Sequence, residues 1–192
     1  MEKLLRRCWE TSNPLHIRYH DEEWGVPLHD DQRFFEFLAL GGFQAGLSWW
    51  LILKRREDLR EAFDSFNPKK VASYTTEDVE RLMNARGIIR NRAKIQSTIN
   101  NARHFLEIQK EFGSFDYFIW KFVKNKPINN VFTKLSMLPS ETKESRAISL
   151  ELRKRNFLFV GPTICYAFMQ AAGLVNDHLV SCFRHNEIKK QQ

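Results

Sequence analysis

Leu82-Met83-Asn84-Ala85-Arg86-Gly87-Ile88-Ile89-Arg90-Asn91-Arg92-Ala93-Lys94-Ile95 is the stretch on which the reading of this chain turns. Leu82 and Met83 end one run, and Ile95, Ile99, Ala102 and Leu106 recur at helical spacing in the next. Gly87 can take the left-handed conformation that closes a helix at C′, and the following helix opens at once with first-turn N–H groups that lack intrahelical partners. The spacing therefore predicts two helices joined by a tight hairpin near 82–95. Isoleucines pack under the turn, and Gly87, Arg90, Arg92 and Lys94 supply amides and cations for a phosphate seat. Such a contact grips the backbone of DNA and carries no sequence information. The same residues also fit a plain glycine-capped hairpin with a solvated basic face.

Outward from this hairpin the chain stays helical. Phe34, Phe37 and Leu38, and later Ile148 and Leu152, keep the same period. Asn67-Pro68 places a capping side chain before a first-turn proline, and Thr75 precedes Asp78 in capping-box order. Helices are predicted near 31–43, 48–63, 68–73, 76–85, 91–112, 114–123, 140–156 and 162–173, with a polar connection from Lys124 to Pro139. No alternating β-branched runs compete, so the fold class is all-α.

The 192 residues, 43% hydrophobic, suffice for one substantial core, and residues 1–192 are read as a single unit. Every apolar run is broken by charge before the ~20 residues a bilayer span needs, so no membrane partner is expected. The first residues lack the pattern of a secretory signal, and three cysteines do not make a disulfide framework. A cytoplasmic, monomeric protein is the expectation. The net charge of +7 is uneven: residues 1–66 carry 9 basic and 12 acidic side chains, residues 67–192 carry 21 and 11. From Arg81 to Leu106 there is no Asp or Glu, which points to a polyanion as partner.

Two further constellations carry chemistry. Cys8, His20, His178 and Cys182 offer two sulfurs and two nitrogens, and His178 and Cys182 stand four apart, on one face if helical. They read either as a tetrahedral zinc set joining the termini, 1–30 with 174–185, or as buried thiols beside unrelated histidines. The second is aromatic: Trp9, Tyr19, Trp24 and Gly41-Gly42-Phe43-Gln44-Ala45-Gly46-Leu47-Ser48-Trp49-Trp50. These fit a core, or a stack of faces for a planar base held more strongly if cationic.

Pro14-Leu15, Tyr19-His20-Asp21, Glu23-Trp24-Gly25-Val26-Pro27, Gln44-Ala45-Gly46-Leu47-Ser48-Trp49, Gly87-Ile88-Ile89-Arg90, Phe159-Val160-Gly161-Pro162-Thr163-Ile164-Cys165-Tyr166 and Gly173-Leu174-Val175-Asn176-Asp177-His178 occur in this order. Together they closely resemble the 3-methyladenine DNA glycosylase I (Tag) family, from Cys8 to about Cys182. The resemblance implies a helix-hairpin-helix base-excision fold whose termini are tied by structural zinc on Cys8, His20, His178 and Cys182. It implies a hydrolase that flips an alkylated purine out of double-stranded DNA and releases 3-methyladenine. By the same resemblance Trp49, Tyr19 and Trp24 are pocket aromatics, and Leu47 or Gln44 plugs the gap in the stack. N3-methylation leaves the base cationic, so its departure requires little acid catalysis.

Three departures stand out. Family members commonly carry a glutamate where this chain has Gly41, a tyrosine where it has His16, and Cys-x-Trp where it has Cys8-Trp9. With Gly41 in place, the catalytic residue is unassigned, and Glu22, Glu23 and Glu36 are the candidates to replace the carboxylate. A weakened or redirected homologue that binds damaged DNA without efficient excision is the alternative function.

Overall fold

The computed structural model describes residues 6–190. The helices are α1 (Pro14–Glu22), α2 (Asp31–Gln44), α3 (Trp49–Ala62), α4 (Pro68–Ala72), α5 (Thr76–Asn84), α6 (Arg92–Phe112), α7 (Phe115–Trp120), α8 (Lys143–Lys154), α9 (Pro162–Ala171) and α10 (Phe183–Lys190). Most are opened by a side-chain oxygen that takes a first-turn N–H: Asn13, Asp30, Ser48, Asn67, Asn91 and Ser114 each do this. Thr75 and Asp78 form the capping box read from the sequence.

α2 is the central element, and α3, α6, α7 and α9 pack around it. Its Phe34, Phe35, Leu40 and Phe43 are wholly buried. Phe35 meets the Phe105 ring at 5.4 Å, and Phe105 stacks on Phe115 at 4.3 Å, so aromatic contacts lock α2 to α6 and α7. Glu36 lies buried in this apolar run because α3 returns two arginines one turn apart. Arg56 Nε and Arg60 Nε donate to its carboxylate at 2.7 and 2.8 Å. Burial pushes the Glu36 carboxyl up, but Arg60 and Arg56 outweigh it and hold the group below the usual carboxylate range.

The ends of the described chain meet. β1 (Ile128–Asn129) pairs in parallel with β2 (Val175–Asn176), the N–H of Phe183 donates to Arg6 O at 3.1 Å, and that of Leu28 donates to Ala172 O at 3.1 Å. Gly173, at φ +68°, allows this crossing: a Cβ there would lie 2.2 Å from Val26 C and O. Among the described residues no helix is long and apolar enough to cross a membrane.

The backbone departs from the sequence reading at several points. It omits α1, α10 and the two-residue strand pair. The 114–123 helix ends at Trp120 and continues only as a 3-10 turn over residues 121–123. Gly87 does not sit at C′: α5 stops at Asn84 with Ala85 as its cap, and Gly87, at φ +84°, lies in mid-turn against the side chain of Asp58 on α3. His178 and Cys182 are not on a helix; they flank a turn that precedes α10.

Candidate active site

A cavity of about 330 Å³ opens beside α2, a size suited to a small planar ligand. Its aromatic walls are Trp9 and Trp24 from the N-terminal segment, Tyr19 from α1 and Trp49 from the first turn of α3. Trp9 and Trp24 contact edge to face at 5.0 Å, and Tyr19 is tilted against Trp49 at 5.3 Å. His16, Gly41 and Gln44 complete the set expected at the base pocket and its rim. The sequence reading missed Phe37 and the α9 residues Ala167, Phe168, Gln170 and Ala171. Ala167 and Ala171, four apart on an otherwise bulky apolar helix, are the signal that space was left on that face.

Among the described residues no carboxylate lines this cavity. Glu36 is held by Arg56 and Arg60, and Glu23 by Arg56 at 2.8 Å and Arg33 at 3.3 Å. Glu22 pairs with Arg18 on the outer side of α1. The three carboxylates considered as replacements are therefore engaged elsewhere. At Gly41 a Cβ would meet Ile164 Cγ2 at 3.3 Å, so the glycine lets α2 and α9 approach closely. Among the described residues His16 Nε2 and Trp49 Nε1 are buried with no hydrogen-bond partner, and both side chains line the cavity. The Tyr19 phenol is pushed above its ordinary pKa by burial first and by the nearby Glu23 charge second, so it stays a neutral hydroxyl.

Beside the aromatic wall lies a second cluster. The ligand atoms of Cys8, His20, His178 and Cys182 all fall within 4.8 Å of one another, and all four residues are buried. Cys8 Sγ is 3.3 Å from His178 Nδ1, and Cys182 Sγ is 3.5 Å from both His20 Nε2 and His178 Nδ1. Ligands at tetrahedral metal–sulfur and metal–nitrogen lengths would stand about 3.5 Å apart, so the spacing fits a single ion. The outer nitrogens are also satisfied as metal ligation requires. His20 Nδ1 faces Asp21 Oδ1 at 2.7 Å, itself gripped by Arg7, and His178 Nε2 faces Trp24 O at 2.8 Å. Sharing a proton between the two sulfurs pushes the Cys8 thiol up and holds the Cys182 thiol down. The cluster also shapes the cavity, because Trp9 meets the His20 ring at 4.7 Å and Trp24 meets the His178 ring at 4.6 Å. Residues 1–5 of the expected metal-binding terminus lie outside the described residues.

The basic stretch is more selective than its sequence suggests. Arg92 makes a two-pronged bond to Glu80 at 2.7 and 2.9 Å, Arg81 is paired with Asp78, and Arg103 donates to Ala72 O and Tyr74 O. Lys94, expected to face a phosphate, is 7% exposed and turned inward, onto Phe43 O and Ala45 O. The Asn91 side chain takes one first-turn amide of α6, that of Lys94. Arg86 and Arg90 remain exposed beside Gly87, without an ion pair among the described residues. Leu47, on the turn between α2 and α3, is 37% exposed.

The family model described as methyladenine glycosylase matches residues 9–185. DNA-3-methyladenine glycosylase 1 of Escherichia coli (strain K12) is 51% identical over 179 residues, covering 93% of this chain and 96% of that protein. A crystal structure of 3-methyladenine DNA glycosylase I (TAG) superimposes with a TM-score of 0.90 at 49% identity, covering 93% of this chain and 98% of that one. The Staphylococcus aureus enzyme, solved for the structural basis of its 3-methyladenine recognition, gives a TM-score of 0.88 at 38% identity, with 90% and 92% covered. Fold, cavity and sequence agree: this chain belongs to the methyladenine glycosylase family.

Proposed function

We propose that this protein excises 3-methyladenine, and alkylated purines of like charge, from double-stranded DNA by hydrolysing the N-glycosidic bond of an extruded nucleotide. The observation that carries the reading is the cavity of about 330 Å³ walled by three indoles and a phenol. Had those rings filled the space themselves, no nucleobase would enter.

The lesion supplies the reactivity. A purine methylated at N3 carries a positive charge in DNA, so electrons of the N-glycosidic bond move onto the base without prior protonation. Water adds to the sugar carbon, and its proton is lost to solvent. The walls favour the cationic base through their π faces, an attraction of about 0.5–2 kcal/mol per well-placed ring. Tyr19, held neutral, is a hydroxyl partner for the edge of the base. With no carboxylate on the wall, stabilisation rests on ring faces and neutral dipoles. The family's missing charge-assisted hydrogen bond would be worth roughly 1.5–3 kcal/mol.

Ala85–Asn91 is the turn of a helix-hairpin-helix clamp in this reading, with Arg86 and Arg90 against phosphate and Gly87, packed on Asp58, letting the turn close. Leu47, exposed next to the rim residue Gln44, enters the stack where the base has left. Cys8, His20, His178 and Cys182 hold zinc: a closed four-ligand site has no open position for substrate, so its contribution is structural. We take the chain to work as one unit and as a monomer, in the cytoplasm, where its three unbridged thiols stay reduced.

The test is binding of the free base. 3-Methyladenine should quench the tryptophan fluorescence saturably, and Trp49→Ala should weaken that binding at least tenfold. Equal quenching by 3-methyladenine and thymine, or none by either, would overturn the assignment of the cavity.

A further inference from the structure

Lys94 is tied at every polar atom. Its N–H donates to Asn91 Oδ1 at 3.1 Å, and its carbonyl accepts from Ser97 Oγ at 2.8 Å and Thr98 Oγ1 at 2.9 Å. Its ammonium donates to Phe43 O at 2.8 Å and Ala45 O at 2.6 Å. Those two carbonyls belong to the end of α2, where the last C=O groups of a helix have no intrahelical donor, and they flank Gln44 on the cavity rim. A cation there also complements the negative end of the helix dipole.

The origin of this cation is what makes it informative. α2 is closed by a residue about fifty positions away, in the first turn of the helix that directly follows the basic turn 85–91. Among the described residues no carboxylate pairs with the ammonium, although burying an unpaired ammonium is expensive. If sealing α2 were the whole role, a nearby glycine, asparagine or water would serve, and an apolar side chain would pack without that cost. A direct bond from the first turn of α6, which follows the basic turn, to the end of α2, which precedes the Leu47 turn, ties a phosphate seat to Leu47.

We propose that Lys94 is a positioning residue. It holds the Leu47 turn in register with the basic turn, so that a duplex seated on Arg86 and Arg90 meets Leu47 and the cavity mouth together. This rests on the glycosylase reading above. It differs from the expectation drawn from the sequence alone, in which Lys94 is itself a phosphate ligand.

The test uses a duplex with an abasic analogue beside 2-aminopurine, whose fluorescence rises when its stacking is disturbed. Wild type should produce the rise. Lys94→Met should bind with affinity within about twofold of wild type and with an unchanged salt slope, yet give a rise at least fivefold smaller. A full rise in the variant would overturn the proposal. So would a salt slope reduced by about 0.9, the mark of one lost phosphate contact. Should Lys94→Met fail to fold, Lys94→Arg keeps donors for both carbonyls on a longer stem and should show the same split at smaller amplitude; loss of affinity without that split would refute the proposal. Failure of the glycosylase reading is separable: wild type would then disturb the stack yet release no 3-methyladenine from methylated duplex.

Discussion

Gly41→Glu is the most informative single change to this site. The position lies on the cavity wall, in the buried interior of α2. Filling a helical glycine favours the helix by roughly 0.5–1 kcal/mol. Against this, the new Cβ meets Ile164 Cγ2 at 3.3 Å, which asks for a shift of a few tenths of an ångström, and the carboxylate loses solvation in the empty site. These effects oppose one another, so the melting temperature should move by only a few degrees. With a cationic base in place, the carboxylate gains a charge-assisted hydrogen bond worth roughly 1.5–3 kcal/mol. The single-turnover rate of 3-methyladenine release should rise by about one to two decades. Gly41→Gln has the same bulk without charge and should gain less, in line with the roughly 0.5–1.5 kcal/mol of a neutral hydrogen bond. If Gly41→Glu is folded and no faster than Gly41→Gln, the cavity does not hold a base whose charge matters to the rate.

Arg90→Ala should lower the salt slope of duplex binding by about 0.9, whereas Arg92→Ala should change it less because Glu80 already holds that guanidinium. Cys182→Ser should lose metal by elemental analysis and melt at lower temperature, while His185→Ala, outside the cluster and bonded to Asn130 O, should retain the ion. Glu36→Gln breaks a buried ion-pair network and should cost roughly 3–5 kcal/mol in denaturant unfolding. Because the folded-state pKa of Glu36 is lowered, its stabilisation is present above the ordinary carboxylate value of 4.5 and is lost as pH falls through the folded value. The wild type should therefore lose stability in acid more steeply than Glu36→Gln.

What the sequence made legible follows from what local chemistry can say. Asn67-Pro68 and Thr75 with Asp78 mark helix starts because the capping bonds are made within three residues. Asn13-Pro14 carries the same signal and opens α1. Glu36, placed among phenylalanines, looks like a misfit until Arg56 and Arg60 are seen to share one face of α3, four residues apart. Lys94 gave no such cue. Its partners are backbone carbonyls, which have no signature in sequence, and α6 buries Ser97, Thr98 and Asn101 beside its apolar residues, blurring the boundary between inner and outer faces. The Cys8, His20, His178 and Cys182 cluster is readable as a donor set, but its geometry depends on a turn before α10 rather than on the helix that the four-residue spacing predicts.

In the proposed reaction a base carrying its own positive charge leaves from this cavity without a carboxylate to assist it. Single-turnover reactions at saturating enzyme, on duplexes holding either 3-methyladenine or unmodified adenine at one position, test it most directly. Release of 3-methyladenine should run well above its spontaneous rate, with no release of adenine. Release of both bases at similar rates, or of 3-methyladenine no faster than in the absence of protein, would contradict it.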